Sequence, residues 1–246
     1  MIFTRNQKIL FIGDSITDTG RRGEPHAPYG RGYVHLTRAF LLARYPELDL
    51  QILNRGISGN TVRDLAARWE NDVIAEQPDW LSIKIGINDD WRLIANRVQE
   101  HVPLDEYEQT YRSLLENTKQ RSSHTHLTLI EPYVIAPPTS GPNALSLSLA
   151  DVQQRYPQLR EQGVNSGPEY DACLAQFRAV MDQYCAVVER LAGEYSAVLV
   201  HTQAAFDEAL QFQPPAYWAA DRVHPDAPGH AVIARAFLRA VDYGDV

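Results

Sequence analysis

The apolar run Ile9-Leu10-Phe11-Ile12 stops abruptly at Gly13-Asp14-Ser15. Four apolar residues in a row, closed by turn formers, read as a strand buried on both faces, and such strands belong to parallel sheets covered by helices. Further apolar runs follow at residues 48–53, 80–85, 126–130 and 197–200. Between them lie helical segments at 33–44, 62–76, 104–121 and 170–195, and a last helix is expected at 231–241. In the helix over 33–44, Leu36, Phe40 and Leu41 are spaced for one buried face. Strands alternating with helices point to one doubly wound α/β domain spanning residues 1–246. In such a sheet, ligands bind beyond the C-terminal strand ends.

Four of those strand ends and turns carry chemistry. Gly13 lets the backbone turn sharply after the first strand, which makes Ser15 a candidate nucleophile. Taken alone, the triplet is equally a turn capped by Asp14 and Ser15. The second strand runs into Asn54-Arg55-Gly56-Ile57-Ser58-Gly59-Asn60-Thr61, where backbone amides near a helix N-terminus could seat a developing negative charge. The alternative is a tight strand-to-helix turn capped by Asn60 or Thr61. After the third strand, Gly86-Ile87-Asn88-Asp89 either points the Asn88 amide toward Ser15 or makes an Asx turn. Trp91 is either a platform for a sugar ring or a packing or subunit-contact residue. Near the C-terminus, Asp221-Arg222-Val223-His224-Pro225 lets the Asp221 carboxylate accept from one imidazole nitrogen while the other faces a serine, although a lone Asp-x-x-His is also a common surface loop.

A net charge of -8 and the lack of any basic cluster interleaved with aromatics argue against a nucleic-acid partner. No run approaches the roughly 18 apolar residues of a membrane span, and the N-terminus carries no signal-peptide pattern, so a cytoplasmic protein is expected. Cys173 and Cys185 are the only cysteines. They fall on one expected helix about 18 Å apart, beyond disulfide reach, which suits a reducing compartment. The eight histidines show no zinc-ligand spacing. Residues 16–32 read as a loop at the sheet edge, and residues 131–168, rich in Pro, Gly and Ser, as a long excursion with a short helix near 149–156. The excursion is expected to overhang Ser15 or to touch a neighbouring subunit.

Together, Gly13-Asp14-Ser15, Gly59, Gly86-Ile87-Asn88-Asp89 and Asp221-Arg222-Val223-His224 resemble, in order, the four signature blocks of the SGNH (GDSL-type) hydrolases. The wider segments around them are most similar to the intracellular bacterial acetylxylan esterases. The resemblance implies a flavodoxin-like three-layer α/β/α sandwich with a five-stranded parallel sheet. It also implies a serine esterase in which Ser15 attacks, His224 is the general base and Asp221 orients it. The Ser15 and Gly59 amides and the Asn88 side chain would form the oxyanion hole, and Asp14, Trp91 and Trp218 are candidate substrate contacts. The implied substrate is a small acetyl ester of a carbohydrate, an acetylated xylo-oligosaccharide, with no metal or cofactor and with assembly into a homo-oligomer. The alternatives are a lysophospholipase-like lipase acting on longer acyl esters, and a non-catalytic carbohydrate-binding or assembly module.

Overall fold

In the computed structural model, which describes residues 2–23, 28–136 and 147–244, the five apolar runs become strands β1 Lys8–Gly13, β2 Gln51–Gly56, β3 Trp80–Lys84, β4 His126–Ile130 and β5 Val198–Val200. Every pairing is parallel, and the strand order is β2-β1-β3-β4-β5. The order reverses direction between β1 and β3, and a crevice opens at such a switch point. Gly13 ends β1 level with Gly56 of β2 and Lys84 of β3. A Cβ at Gly13 would lie 2.2 Å from the Lys84 carbonyl oxygen and 2.5 Å from Thr17 Oγ1, so only glycine allows the chain to turn here.

The described helices are α1 Ser15–Asp18, α2 Tyr33–Arg44, α3 Val62–Trp69, α4 Ile87–Ile94, α5 Leu104–Arg121, α6 Leu149–Glu161, α7 Pro168–Tyr195, α8 Thr202–Ala209, α9 Pro215–Trp218 and α10 Ala227–Ala240. They cover both faces of the sheet. On one, Phe11 meets Tyr33 of α2 and Phe237 of α10, with ring centroids 5.9 and 5.1 Å away. On the other, Trp69 of α3 donates to Thr118 of α5 at 3.1 Å, and Tyr107 of α5 packs on Tyr184 of α7. Each aromatic buried this way removes roughly 150–250 Å² from water, which makes these contacts a large part of the apolar stabilisation. Among the described residues no helix is long and apolar enough to cross a membrane.

Several element boundaries differ from the sequence reading. Strand β2 starts at Gln51 rather than at 48, because Pro46–Leu48 forms a single 3₁₀ turn. In α2 the inward row is Tyr33, Val34, Thr37 and Leu41, while Phe40 is 43% exposed and lies edge-on to Tyr243. A polar threonine facing inward is invisible to a pattern counted on apolar residues. The loop expected from residue 16 begins instead as α1, and α8 and α9 occupy a stretch with no expected helix. Helix α10 starts at Ala227 and takes Pro228 into its first turn, where a missing N–H costs nothing.

The excursion is corrected most. Residues 131–136 form no regular element but enter the core, with Tyr133, Val134, Ile135 and Ala136 fully buried. Helix α6 continues through Pro157 to Glu161, with Val152 and Tyr156 on its buried side. Pro137-Pro138, Gly141-Pro142 and Ser146 lie outside the described residues. Cys173 and Cys185 share α7 and are both free.

Candidate active site

The turn from β1 into α1 makes Ser15 the first residue of a helix. Asp14 is extended, and its Oδ1 accepts from the Ile16 amide at 2.9 Å, capping one of the open donors that a short helix exposes. Asp14 is completely buried, and burial pushes its carboxyl above the usual carboxylate range against the opposing charge of Lys84. It therefore holds the nucleophile turn from beneath. The expectation that Asp14 touches substrate is corrected, since a carboxylate with no exposed surface cannot reach one.

Ser15 Oγ lies 2.8 Å from His224 Nε2, and His224 Nδ1 lies 2.7 Å from Asp221 Oδ2. An ionised carboxylate only accepts, so Nδ1 carries the proton; Nε2 of the neutral ring is then an acceptor, and the Ser15 hydroxyl donates to it. The other oxygen of Asp221 accepts from the backbone amides of His224 at 2.7 Å and Val223 at 3.0 Å. Burial works to raise the Asp221 carboxyl, but the hydrogen bonds from the His224 ring and from these amides outweigh it and bring it down to about 2. In return, the hydrogen bond that its ring donates to Asp221 raises the His224 imidazolium above its ordinary range, while partial burial opposes it.

The Asp221–His224 turn needs Arg222 in a left-handed conformation, φ 71°, which ordinary side chains avoid. Long-range contacts enforce it. The buried Arg222 guanidinium donates to the carbonyls of Ala219 at 3.2 Å and Asn165 at 3.1 Å. Its own carbonyl accepts from the Ile135 amide at 2.9 Å, and the Tyr133 hydroxyl donates to the Val223 carbonyl at 3.2 Å. The excursion thus shapes the site by bracing the histidine turn.

A cavity of about 550 Å³ opens above Ser15, with Ser58, Gly59, Asn88, Trp91 and His224 in its walls. Gly59 has φ 85°, and neither its amide nor that of Ser15 donates to another described residue. Asn88 is on the first turn of α4 rather than in an Asx turn, and its Nδ2 donates to the Asn60 carbonyl at 3.0 Å. Since that acceptor fixes the amide's orientation, the second N–H of Asn88 is left for a ligand. The adjoining helix is capped by Thr61, which forms a capping box with Asp64. Two unpaired amides and a side-chain N–H around one hydroxyl are an arrangement able to stabilise an oxyanion. Among the described residues no three His, Cys, Asp or Glu side chains gather as a metal site requires.

Trp91 is a packing residue that also walls the cavity: it is held edge-on by Tyr156 of α6 and Phe177 of α7, each with a ring centroid 5.1 Å away. Helix α6 backs Trp91 and does not itself line the cavity, so among the described residues the excursion does not overhang Ser15. Trp218 is also corrected. It lines a separate groove between α8 and α10, and its Nε1 donates to the Gln213 carbonyl at 3.2 Å. Four wall residues, Ile16, Thr19, Arg92 and His230, were not singled out by the sequence reading. His230 is buried, and burial pushes it down to about 4, which leaves it neutral near pH 7. Only Arg92 has a sequence signal, its position four residues after Asn88 on a helix.

Residues 11–232 match the family model described as the GDSL-like Lipase/Acylhydrolase family. The chain is 44% identical to an acetylxylan esterase from Geobacillus stearothermophilus over 243 residues, 96% of this chain and 94% of that protein. The crystal structure of Axe2, an acetylxylan esterase from the same organism, superposes with a TM-score of 0.81 at 42% identity, covering 99% of this chain and 98% of the other. LAE5, an alpha/beta hydrolase from the metagenome of Lake Arreo, superposes with a TM-score of 0.79 at 38% identity over the whole of both chains. By sequence, fold and strand-end motifs alike, the chain belongs to the GDSL-like lipase/acylhydrolase family.

Proposed function

We propose that this protein is a serine esterase that removes acetyl groups from carbohydrates, with acetylated xylo-oligosaccharides as the substrate class. The observation that carries the reading is the unbroken relay from Asp221 through His224 to Ser15, with links of 2.7 and 2.8 Å, facing the free amides beside Asn88. The Ser15 oxygen adds to the ester carbonyl while its proton passes to His224 Nε2. The carbonyl oxygen becomes an oxyanion held by the Ser15 and Gly59 amides and by Asn88. Collapse expels the sugar alkoxide, which takes the proton from His224, and leaves an acetyl group on Ser15. Water then repeats the sequence, giving up its proton to His224 and releasing acetate.

The names of the relatives support the acetylated xylo-oligosaccharide, and Axe2 variants with alanine at a serine, an aspartate or a histidine are described as catalytic mutants. The cavity supports the short acyl group. Its walls interleave Thr19, Ser58, Asn88 and His230 with Ile16, Trp91 and Pro225, whereas the more apolar groove between α8 and α10 does not include Ser15. A long alkyl chain leaving Ser15 would therefore meet polar groups that gain nothing from it. Aryl acetate should be hydrolysed at least about tenfold faster, by kcat/KM, than aryl octanoate, a modest discrimination for several methylenes. The reverse order would favour the lipase alternative.

A homo-oligomer in a reducing cytoplasm belongs to the same proposal. It is supported by the free thiols and by Phe212 and Tyr217, 77% and 50% exposed near the α8/α10 groove. Sedimentation at several protomer masses is expected, and sedimentation at one would remove the assembly.

A further inference from the structure

The esterase reading leaves open how the Gly59 amide is held toward the substrate. A glycine at φ 85° has no side chain to restrain it, and the peptides on either side rotate at little cost. An oxyanion donor that can turn away must be reorganised in every turnover, which forfeits much of its value.

The turn over residues 57–60 is tied down from two sides. On the β1 side, the Ile57 amide donates to the Gly13 carbonyl at 3.0 Å, while the Ser58 amide and hydroxyl both donate to Asp18 Oδ2, at 3.1 and 2.8 Å. On the α4 side, two consecutive carbonyls are gripped by one helix face. Asn88 Nδ2 donates to the Asn60 carbonyl at 3.0 Å, and Arg92 Nη2 donates to the Gly59 carbonyl at 3.1 Å. Asn88 and Arg92 are four residues apart on α4, so their side chains emerge one above the other. Arg92 is itself confined: its side chain is 16% exposed, and its Nε lies 3.6 Å from a Glu100 carboxylate oxygen. With these bonds in place, the Gly59 N–H remains without a described acceptor and borders the cavity.

We propose that Arg92 is the positioning residue of the oxyanion hole, clamping the Gly59 carbonyl so that the Gly59 N–H stays aimed at the substrate oxygen. Asn88 does not reach this carbonyl: its anchoring bond goes to the next one, and the other described tie on the Gly59–Asn60 peptide is at its opposite edge, where the Asn60 amide donates to the Ile57 carbonyl at 3.2 Å. The guanidinium also lines the same cavity as Ser15 and Asn88, where a fixed cation favours the negatively charged tetrahedral state over the planar ester.

The proposal rests on the esterase reading, and an aryl acetate keeps the test independent of the sugar. The full-length protein and its Arg92→Met and Arg92→Lys variants would be compared for kcat, KM, melting temperature and inhibition by methylboronic acid, which forms a tetrahedral adduct with an active serine. Arg92→Met is expected to lose roughly 10²-fold in kcat with KM within about threefold of the parent, because the interaction strengthens only in the tetrahedral state. Boronate affinity should fall in step, and Arg92→Lys, which can still donate to the carbonyl from one point, should recover part of both. Parental kcat in Arg92→Met, a loss confined to KM, or no recovery by lysine would overturn the clamp. If Arg92→Met does not fold, Arg92→Lys decides: an intermediate kcat with parental KM supports the clamp, and parental kcat overturns it. A parent protein unable to hydrolyse aryl acetate would instead sink the esterase reading and the clamp with it.

Discussion

Ser15→Ala is expected to lower kcat for aryl acetate hydrolysis by about 10⁶-fold, to little more than the rate that binding and the oxyanion donors supply without a nucleophile. The effect is this large because the triad works as a unit. Without the hydroxyl, His224 Nε2 has nothing to deprotonate at 2.8 Å, and the acyl-enzyme cannot form. The substitution should leave the fold intact, since Ser15 Oγ makes its one described hydrogen bond to His224 and capping of α1 rests on Asp14. Steady-state kinetics beside a thermal melt checks this. A variant retaining more than about 1% of parental kcat at unchanged stability would mean that another group attacks the ester.

Asp221→Asn carries the second largest expected effect, a loss of about 10⁴-fold in kcat. The asparagine amide can donate to Nδ1, which selects the tautomer with its proton on Nε2, and that nitrogen can no longer accept from Ser15. The pH dependence has a definite sign. His224 must be neutral to act as base, so kcat/KM rises as pH rises through the imidazolium pKa, which Asp221 holds above its ordinary 6.5. Asp221 itself, at about 2, stays ionised across the assay range and adds no limb of its own. Removing the carboxylate takes away the stabilisation of the imidazolium, so the acidic limb of the residual activity should move to lower pH. Profiles of kcat/KM from about pH 5 to pH 9 for both proteins would show it. An acidic limb that stays in place would assign that limb to a group other than His224.

The sheet was readable because β1, β3 and β4 are buried on both faces and so appear as near-continuous apolar runs. Helix α2 ends just before Pro46, and α5 spans the residues expected of it. The site was readable for a related reason: a doubly wound sheet sends its strand ends to one edge, so Gly13-Asp14-Ser15, Gly59 and Asn88 had to converge. What escaped depends on pairings between distant residues. The bond from Arg92 to the Gly59 carbonyl spans 33 positions, and that from Arg222 to Asn165 spans 57. No local pattern encodes either. Asp14 and Trp218 were misplaced for the opposite reason, since both are near catalytic residues in sequence while one turns into the core and the other onto a different groove. The excursion was expected to overhang Ser15 or touch a neighbouring subunit because proline, glycine and serine mark irregular backbone; its first six residues are core, and α6 props Trp91 from behind.

The central claim, that Ser15 cleaves acetyl groups from sugars, is tested most directly by measuring free acetate after incubating the protein with acetylated xylo-oligosaccharides, with Ser15→Ala run in parallel. The account predicts acetate from the parent, together with oligosaccharides lighter by one acetyl group per event, and none above background from the variant. Acetate from both proteins in equal amount, or from neither while aryl acetate is still hydrolysed, would contradict it.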